Sequence, residues 1–112
     1  MLPKPARLNL KKDFKWVASG KPLDTKFAKL FFRMGENQTP RIGIASSSKT
    51  FKKATDRNRA RRLISAALQS IFYYLPSNIN ILALPKQAAL SVKSGDILLE
   101  LTEKLKDAKI IN

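Results

Sequence analysis

The residues most able to do chemistry lie in one run, Lys49-Thr50-Phe51-Lys52-Lys53-Ala54-Thr55-Asp56-Arg57-Asn58-Arg59-Ala60-Arg61-Arg62, half of which are basic. The chemistry they offer is anion recognition. A guanidinium presents a flat, bidentate fork to phosphate, whereas an ammonium is a point charge. The four arginines fall in the opening turns of a helix, where each exposed positive charge opposes the macrodipole by a few tenths to about 1 kcal/mol. Helix stability alone therefore disfavours this arrangement. A bound anion reverses the balance, because first-turn N–H groups and guanidinium groups converge on it. On a helical wheel Asn58, Arg62, Ser65 and Gln69 lie opposite the apolar stripe, flanked by Arg59 and Arg61. The plainer alternative is a solvated basic face.

The placement of charge separates the two readings. Residues 1–62 hold 17 Lys and Arg against 4 acids, whereas residues 63–112 hold 5 Lys against 4 acids. All seven arginines lie in the first part. A solubilising charge would be spread along the chain and mixed with acids. The asymmetry points to a polyanion, and nucleic acid is the leading candidate.

A second constellation lies on a predicted strand from Lys26 to Met34, which alternates with period two. Ala28, Leu30, Phe32 and Met34 form the core side; Phe27, Lys29, Phe31 and Arg33 form the other. Aromatics interleaved with cations offer stacking platforms and phosphate contacts for single-stranded nucleic acid. Arg41, Gly43 and Ala45 of the next strand share that side, and their small members would leave a groove that Phe14 could roof. A sheet buried on both faces would also show these aromatics, so Phe14, Phe27 and Phe31 are equally open to a core role.

Other chemistry is poorly supplied. The chain has no His and no Cys, which removes the usual general base, the commonest metal ligand, thiol catalysis and disulfides. Asp13, Asp24, Glu36 and Asp56 are scattered; Asp96, Glu100, Glu103 and Asp107 sit on or near one predicted helix, where a solvated face explains them. No carboxylate pair suggests a two-metal centre, and glycine-rich phosphate loops and serine triads are absent. No catalytic or metal-ligating residue is expected on this chain.

The elements that must position the basic run follow from patterning. The 112 residues, 44% of them hydrophobic, suit a single domain over 1–112. Asn9 caps a short helix with Leu10, Phe14 and Val17 on one face, ended by Gly20 and Pro22. Lys26–Met34 and Arg41–Ser46 read as an antiparallel hairpin around a turn at 35–40. Ala60, Leu63, Ile64, Ala67, Leu68, Ile71, Phe72 and Leu75 mark a long helix from about Thr55 to Leu75, capped by Thr55 or Asp56 and closed by Pro76. Asn78–Leu84 reads as a buried strand. Ser94 caps a last helix with Ile97, Leu98, Leu101 and Leu105 inward and a Glu100–Lys104 pair outward. The order α-β-β-α-β-α gives an α+β sandwich, a sheet packed against helices. No apolar run approaches the ~18 residues of a membrane span, and no secretory signal opens the chain. A cytoplasmic protein with no membrane partner is expected.

With these residues in view, the chain resembles the protein component of bacterial ribonuclease P nearly end to end. The resemblance rests on Arg7-Leu8 and Asp13-Phe14-Lys15-Trp16-Val17, then on Arg41-Ile42-Gly43-Ile44 with Ser48-Lys49. It rests above all on the signature R-N-x-x-[KR]-R, met here by Arg57-Asn58 and Arg61-Arg62 after Lys53-Ala54. It implies the protein subunit of an endoribonuclease whose catalytic centre belongs to a large RNA. That RNA uses Mg²⁺, held mainly by the RNA itself, to remove the 5′ leader from precursor tRNA. By resemblance, Arg57, Asn58, Arg59, Arg61 and Arg62 face the ribozyme RNA. Phe14, Phe31, Arg41, Ser48, Lys49 and Lys53 lie in or near a leader cleft between the sheet and the first helix. The partners implied are ribonuclease P RNA and precursor tRNA, with no protein partner required. The family also implies a left-handed βαβ crossover, against the general handedness rule. The sequence departs from the family pattern at Lys52, Asp56, Ser65 and Leu84, where Gly, Lys, Arg and Arg are usual.

An RNA-binding protein of purely structural role would share the charge and fold class. A self-sufficient small nuclease lacks its base, and a DNA-binding protein lacks a helix-turn-helix pair before the arginine helix.

Overall fold

A helix that closes at Gly20 leads directly into a strand rather than a loop. The computed structural model describes residues 3–111. Its elements are α1 (Leu10–Ala18), β1 (Lys21–Asp24), β2 (Ala28–Met34), β3 (Arg41–Ile44), α2 (Ala54–Ser70), β4 (Ile79–Pro85) and α3 (Ser94–Asp107). Short 3₁₀ turns occupy Lys4–Ala6, Phe72–Tyr74 and Gln87–Ser91. Asn9 caps α1 as expected, its side chain accepting from the Lys12 N–H at 3.3 Å.

The strands form one sheet in the order β1-β2-β4-β3. β1 pairs antiparallel with β2, β2 antiparallel with β4, and β3 parallel with β4. The antiparallel hairpin expected between Lys26–Met34 and Arg41–Ser46 is therefore not formed; β4 lies between them. The reason is burial. β4 is apolar on both faces and nearly every residue of it is buried, so it belongs at the sheet centre, where helices cover both sides. β1 was not expected, because Lys21-Pro22-Leu23-Asp24 shows no alternation and Pro22 reads as a helix stop. As an edge strand it tolerates a proline.

α2 and α3 cover one face of the sheet, where Ile64, Leu68, Leu101 and Leu105 join Leu30, Ile42, Ile79 and Ile81 in the main core. α1 covers part of the other face through Val17, which packs with Leu8 and Leu82. This is the expected α+β sandwich, with one more strand. The segment after the first 3₁₀ turn runs beside β3, the Leu8 N–H donating to the Ile42 carbonyl at 3.1 Å. That edge is thereby covered.

Several local expectations change. Phe27 precedes β2 and is buried in the main core, so it does not face the cation-bearing side. Met34 is 45% exposed at the strand's end, although its parity assigned it to the core. Lys53 and Lys93 occupy the N-cap positions of α2 and α3, not Thr55, Asp56 or Ser94. At α3 the Asp96 carboxylate instead accepts from the Lys93 N–H at 3.2 Å. Glu100 accepts the backbone N–H of Lys26 rather than pairing with Lys104. A backbone donor with no other partner outcompetes a mobile ammonium in water.

Candidate nucleic-acid interface

The basic helix begins in a braced loop. Phe51 is fully buried and anchors the chain between β3 and α2, while the Ser47 hydroxyl accepts from the Thr50 N–H at 3.1 Å. Arg57 is half-buried, and its Nη1 donates to the Phe51 carbonyl at 2.8 Å. Ser46 Oγ in turn donates to the Arg57 carbonyl at 3.1 Å. Arg57 thus ties the loop to the first turn of α2. Asn58, Arg59, Arg61 and Arg62 are exposed, and Arg61 Nη2 donates to Asn58 Oδ1 at 2.9 Å.

Asn58, Arg61, Arg62, Ser65 and Gln69 form one wall of a groove of about 640 Å³. Arg7, Leu8 and Leu10 face them across β3. Three guanidinium groups and, among the described residues, no carboxylate line this groove, which gives its mouth a positive field. Arg59 lies off the groove, on the outer side of α2. Arg7, Ser65 and Gln69 thereby join the site. Ser65 and Gln69 were visible on the wheel, but Arg7 arrives only through the pairing of its segment with Ile42.

The other face of the sheet is a ladder of three rows set by register. Arg33, Asn80 and Arg41 make the first row; Phe31, Leu82 and Gly43 the second; Lys29, Leu84 and Ala45 the third. α1 closes the middle row. A Cβ on Gly43 would lie 2.6 Å from Leu10 Cδ2 and 3.1 Å from Leu8 Cβ, so this glycine admits the N-terminal segment. It also lines the groove along α2, but on the α1 side the space left by its small size is taken by Leu8 and Leu10. The third row stays partly open. Lys29 is exposed there with its Nζ 5.3 Å from the Phe31 ring centre, while Phe31 is half-buried against Leu8 and Val17. Phe14 is 37% exposed on α1.

The six residues assigned to a leader cleft are thus spread along this face. Phe14 and Phe31 belong to α1 and the central rows. Ser48, Lys49 and Lys53 are exposed on the loop that leaves the far end of β3. Arg41 opens β3 at the other end, so the four-residue strand, roughly 10 Å long, separates it from that loop. Arg33 is committed within the protein, donating to Ser19 Oγ at 3.0 Å and standing 5.1 Å from the Trp16 ring centre. Trp16 itself is 38% exposed, an aromatic on this face that patterning did not single out. Among the described residues no group of three or more His, Cys, Asp or Glu could hold a metal ion. No described helix is long and apolar enough to cross a membrane.

Comparison with known proteins decides the family: the ribonuclease P family model matches residues 2–109. The chain belongs to the ribonuclease P family. Members of this family are protein components of a tRNA-processing endoribonuclease. The chain is 29% identical to a ribonuclease P protein component from Cyanothece sp., over its whole length and 98% of that relative. It is 31% identical to one from Pseudoalteromonas atlantica over 66% of this chain and 61% of the relative. Its fold resembles that of the ribonuclease P protein of Thermotoga maritima, with a TM-score of 0.77 at 25% identity over 90% of this chain and 96% of that one. A Staphylococcus aureus ribonuclease P protein shares the fold with a TM-score of 0.81 at 23% identity, covering 96% of this chain and 92% of that one.

Proposed function

We propose that this chain binds the catalytic RNA of ribonuclease P through the groove along α2 and holds the 5′ leader of precursor tRNA on the α1 side of the sheet. The observation that carries the reading is the convergence of Arg61, Arg62 and Asn58 with Arg7 on one groove. Arg59 extends the contact to the outer side of α2. Arg57 serves this surface from behind, as the brace of the loop bearing Ser48, Lys49 and Lys53. Phe14 and Phe31 supply apolar ring surface for leader bases, and Lys29, Lys49 and Lys53 meet its phosphates. Arg41 stands at the far end of the same face.

In this reading the Mg²⁺ of the reaction is held mainly by the RNA. The protein's contribution is positional. It raises the effective concentration of the leader beside the RNA and neutralises the phosphate charge that their approach concentrates. Ribonuclease P RNA and precursor tRNA suffice as partners in this reading, and the cytoplasm is its setting.

The test is to mix the purified protein with a bacterial ribonuclease P RNA at low Mg²⁺ and assay precursor tRNA, with protein-alone and RNA-alone controls. Cleavage at the mature 5′ end that is stimulated only in the mixture supports the proposal. Tight RNA binding without stimulation would leave a structural RNA-binding protein in its place.

A further inference from the structure

The loop between β3 and α2 carries Lys49, Lys52 and Lys53, all exposed. Like charges so close together repel and favour an extended, disordered path. Yet three successive carbonyls of this loop accept side-chain donors. Arg57 Nη1 donates to those of Phe51 at 2.8 Å and Lys52 at 3.4 Å. The Gln87 carboxamide donates from Nε2 to the carbonyl before them, that of Thr50. The bonds from Arg57 and between Ser47 and Thr50 are local, made within the loop or from the helix that follows it. Gln87 reaches the loop from 37 positions along the chain.

Gln87 is itself held by the fold. It opens the 3₁₀ turn Gln87–Ser91, whose Ala89 is fully buried in the main core. Just before it, the Lys86 N–H donates to the Phe27 carbonyl at 2.9 Å, and the Lys86 ammonium to the Thr25 carbonyl at 2.7 Å. The Ala89 N–H closes the turn onto the Lys86 carbonyl at 3.0 Å. The backbone on both sides of Gln87 is therefore fixed, although the residue is exposed. A carboxamide suits the tie, since it donates to a carbonyl without adding charge beside three lysines. A loop tied in this way meets its ligand already ordered, so the entropy of fixing it is not subtracted from binding.

We propose that Gln87 is a positioning residue for the leader site. By holding the Thr50 carbonyl it keeps the loop, and with it Ser48, Lys49 and Lys53, in the form that meets the leader phosphates. It acts through the loop rather than by contact with RNA. The inference rests on the reading of this loop as part of the leader site.

The experiment compares the wild-type protein with Gln87→Met, which keeps the length of the side chain and removes its donor. Each is assembled with a bacterial ribonuclease P RNA, and kcat/KM is measured for precursor tRNA with a long 5′ leader and with a single-nucleotide leader. Hydrogen exchange of the free proteins is followed in parallel. The variant should lose about five-fold in kcat/KM on the long-leader substrate, the scale of one neutral hydrogen bond, and keep its rate on the short one. The Phe51 amide, which donates to the Ser47 carbonyl at 2.9 Å, should exchange several-fold faster, with a smaller change at Ile81 in the sheet. Unchanged exchange at Phe51, or a loss of cleavage that is absent or equal for the two substrates, would overturn the assignment and leave the leader reading standing. A wild-type holoenzyme that handles the two leaders equally would remove the leader reading and this inference with it.

Discussion

Arg57 and Arg62 occupy the same signature yet do different work. The Arg57 guanidinium is directed at the Phe51 carbonyl, whereas Arg62 is exposed at the groove. Arg57→Ala should therefore lower folding stability by roughly 1 kcal/mol, the scale of a partly exposed charged hydrogen bond. Arg62→Ala should leave stability unchanged and reduce the salt slope of RNA binding by about one phosphate contact. Denaturant unfolding and filter binding across a salt series separate the two; a stability loss at Arg62 or an unchanged slope would refute the assignment. The departures from the family pattern also acquire places. Ser65 lines the groove where an arginine would add charge, and Leu84 fills the third row of the sheet's α1 side with an apolar contact. Asp56 sits in the first turn of α2, where a carboxylate is favourable to the macrodipole.

At the scale of elements, two junctions decide the site's shape. Gly43 lets Leu8 and Leu10 reach the sheet, which sets the N-terminal segment and so brings Arg7 to the groove. Gly43→Ala is expected to cost about 1–3 kcal/mol by overpacking and to weaken RNA binding together with stability. Thermal melts paired with binding assays check it, and a variant of native stability would show that the segment gives way. The second junction is the ion pair that ties β1 to the turn after β4, with Lys86 Nζ 2.7 Å from Asp24 Oδ1. The hydrogen bond from Lys86 holds the Asp24 carboxyl below its ordinary 3.8, with the nearby charges of Lys86, Lys29 and Lys104 adding to the effect. A carboxyl lowered on folding stabilises the protein above its unfolded-state pKa, and that contribution disappears as pH falls through the lower folded value. Asp24→Asn should thus reduce the melting temperature slightly at pH 7 and make no difference once the wild-type carboxyl is protonated. Melting curves of both proteins at neutral and strongly acid pH give the comparison.

For the molecule as a whole, the formal charge of +14 comes almost entirely from residues 1–62. Those residues build α1, β1, β2, β3 and the start of α2, and hence both faces assigned to RNA. Binding should fall steeply with salt, by counterion release from several phosphates. With no His or Cys, no side chain has an ordinary pKa between pH 5 and 8, so affinity should stay nearly flat from pH 5.5 to 7. Binding isotherms on a grid of salt and pH test both halves, and a strong pH dependence in that window would point to titrating groups on the RNA.

The division between sequence and tertiary structure follows the range of the forces involved. Charge, period and caps are local properties, so the sequence by itself pointed to a polyanion partner and determined the long basic helix, the capped α1 and a buried strand read at 78–84, which the structure places at Ile79–Pro85. It also carried the family, because Arg57-Asn58 and Arg61-Arg62 keep their spacing on one helix. Strand pairing is not local. Only the folded chain could place β4 between β2 and β3, since that choice turns on covering both faces of one apolar strand. The same non-local packing turned Phe27 into the core, drew Leu8 and Leu10 over Gly43 and gave Arg57 to the loop. It also brought Asn80 and Trp16, 64 positions apart in the chain, to the border of one depression.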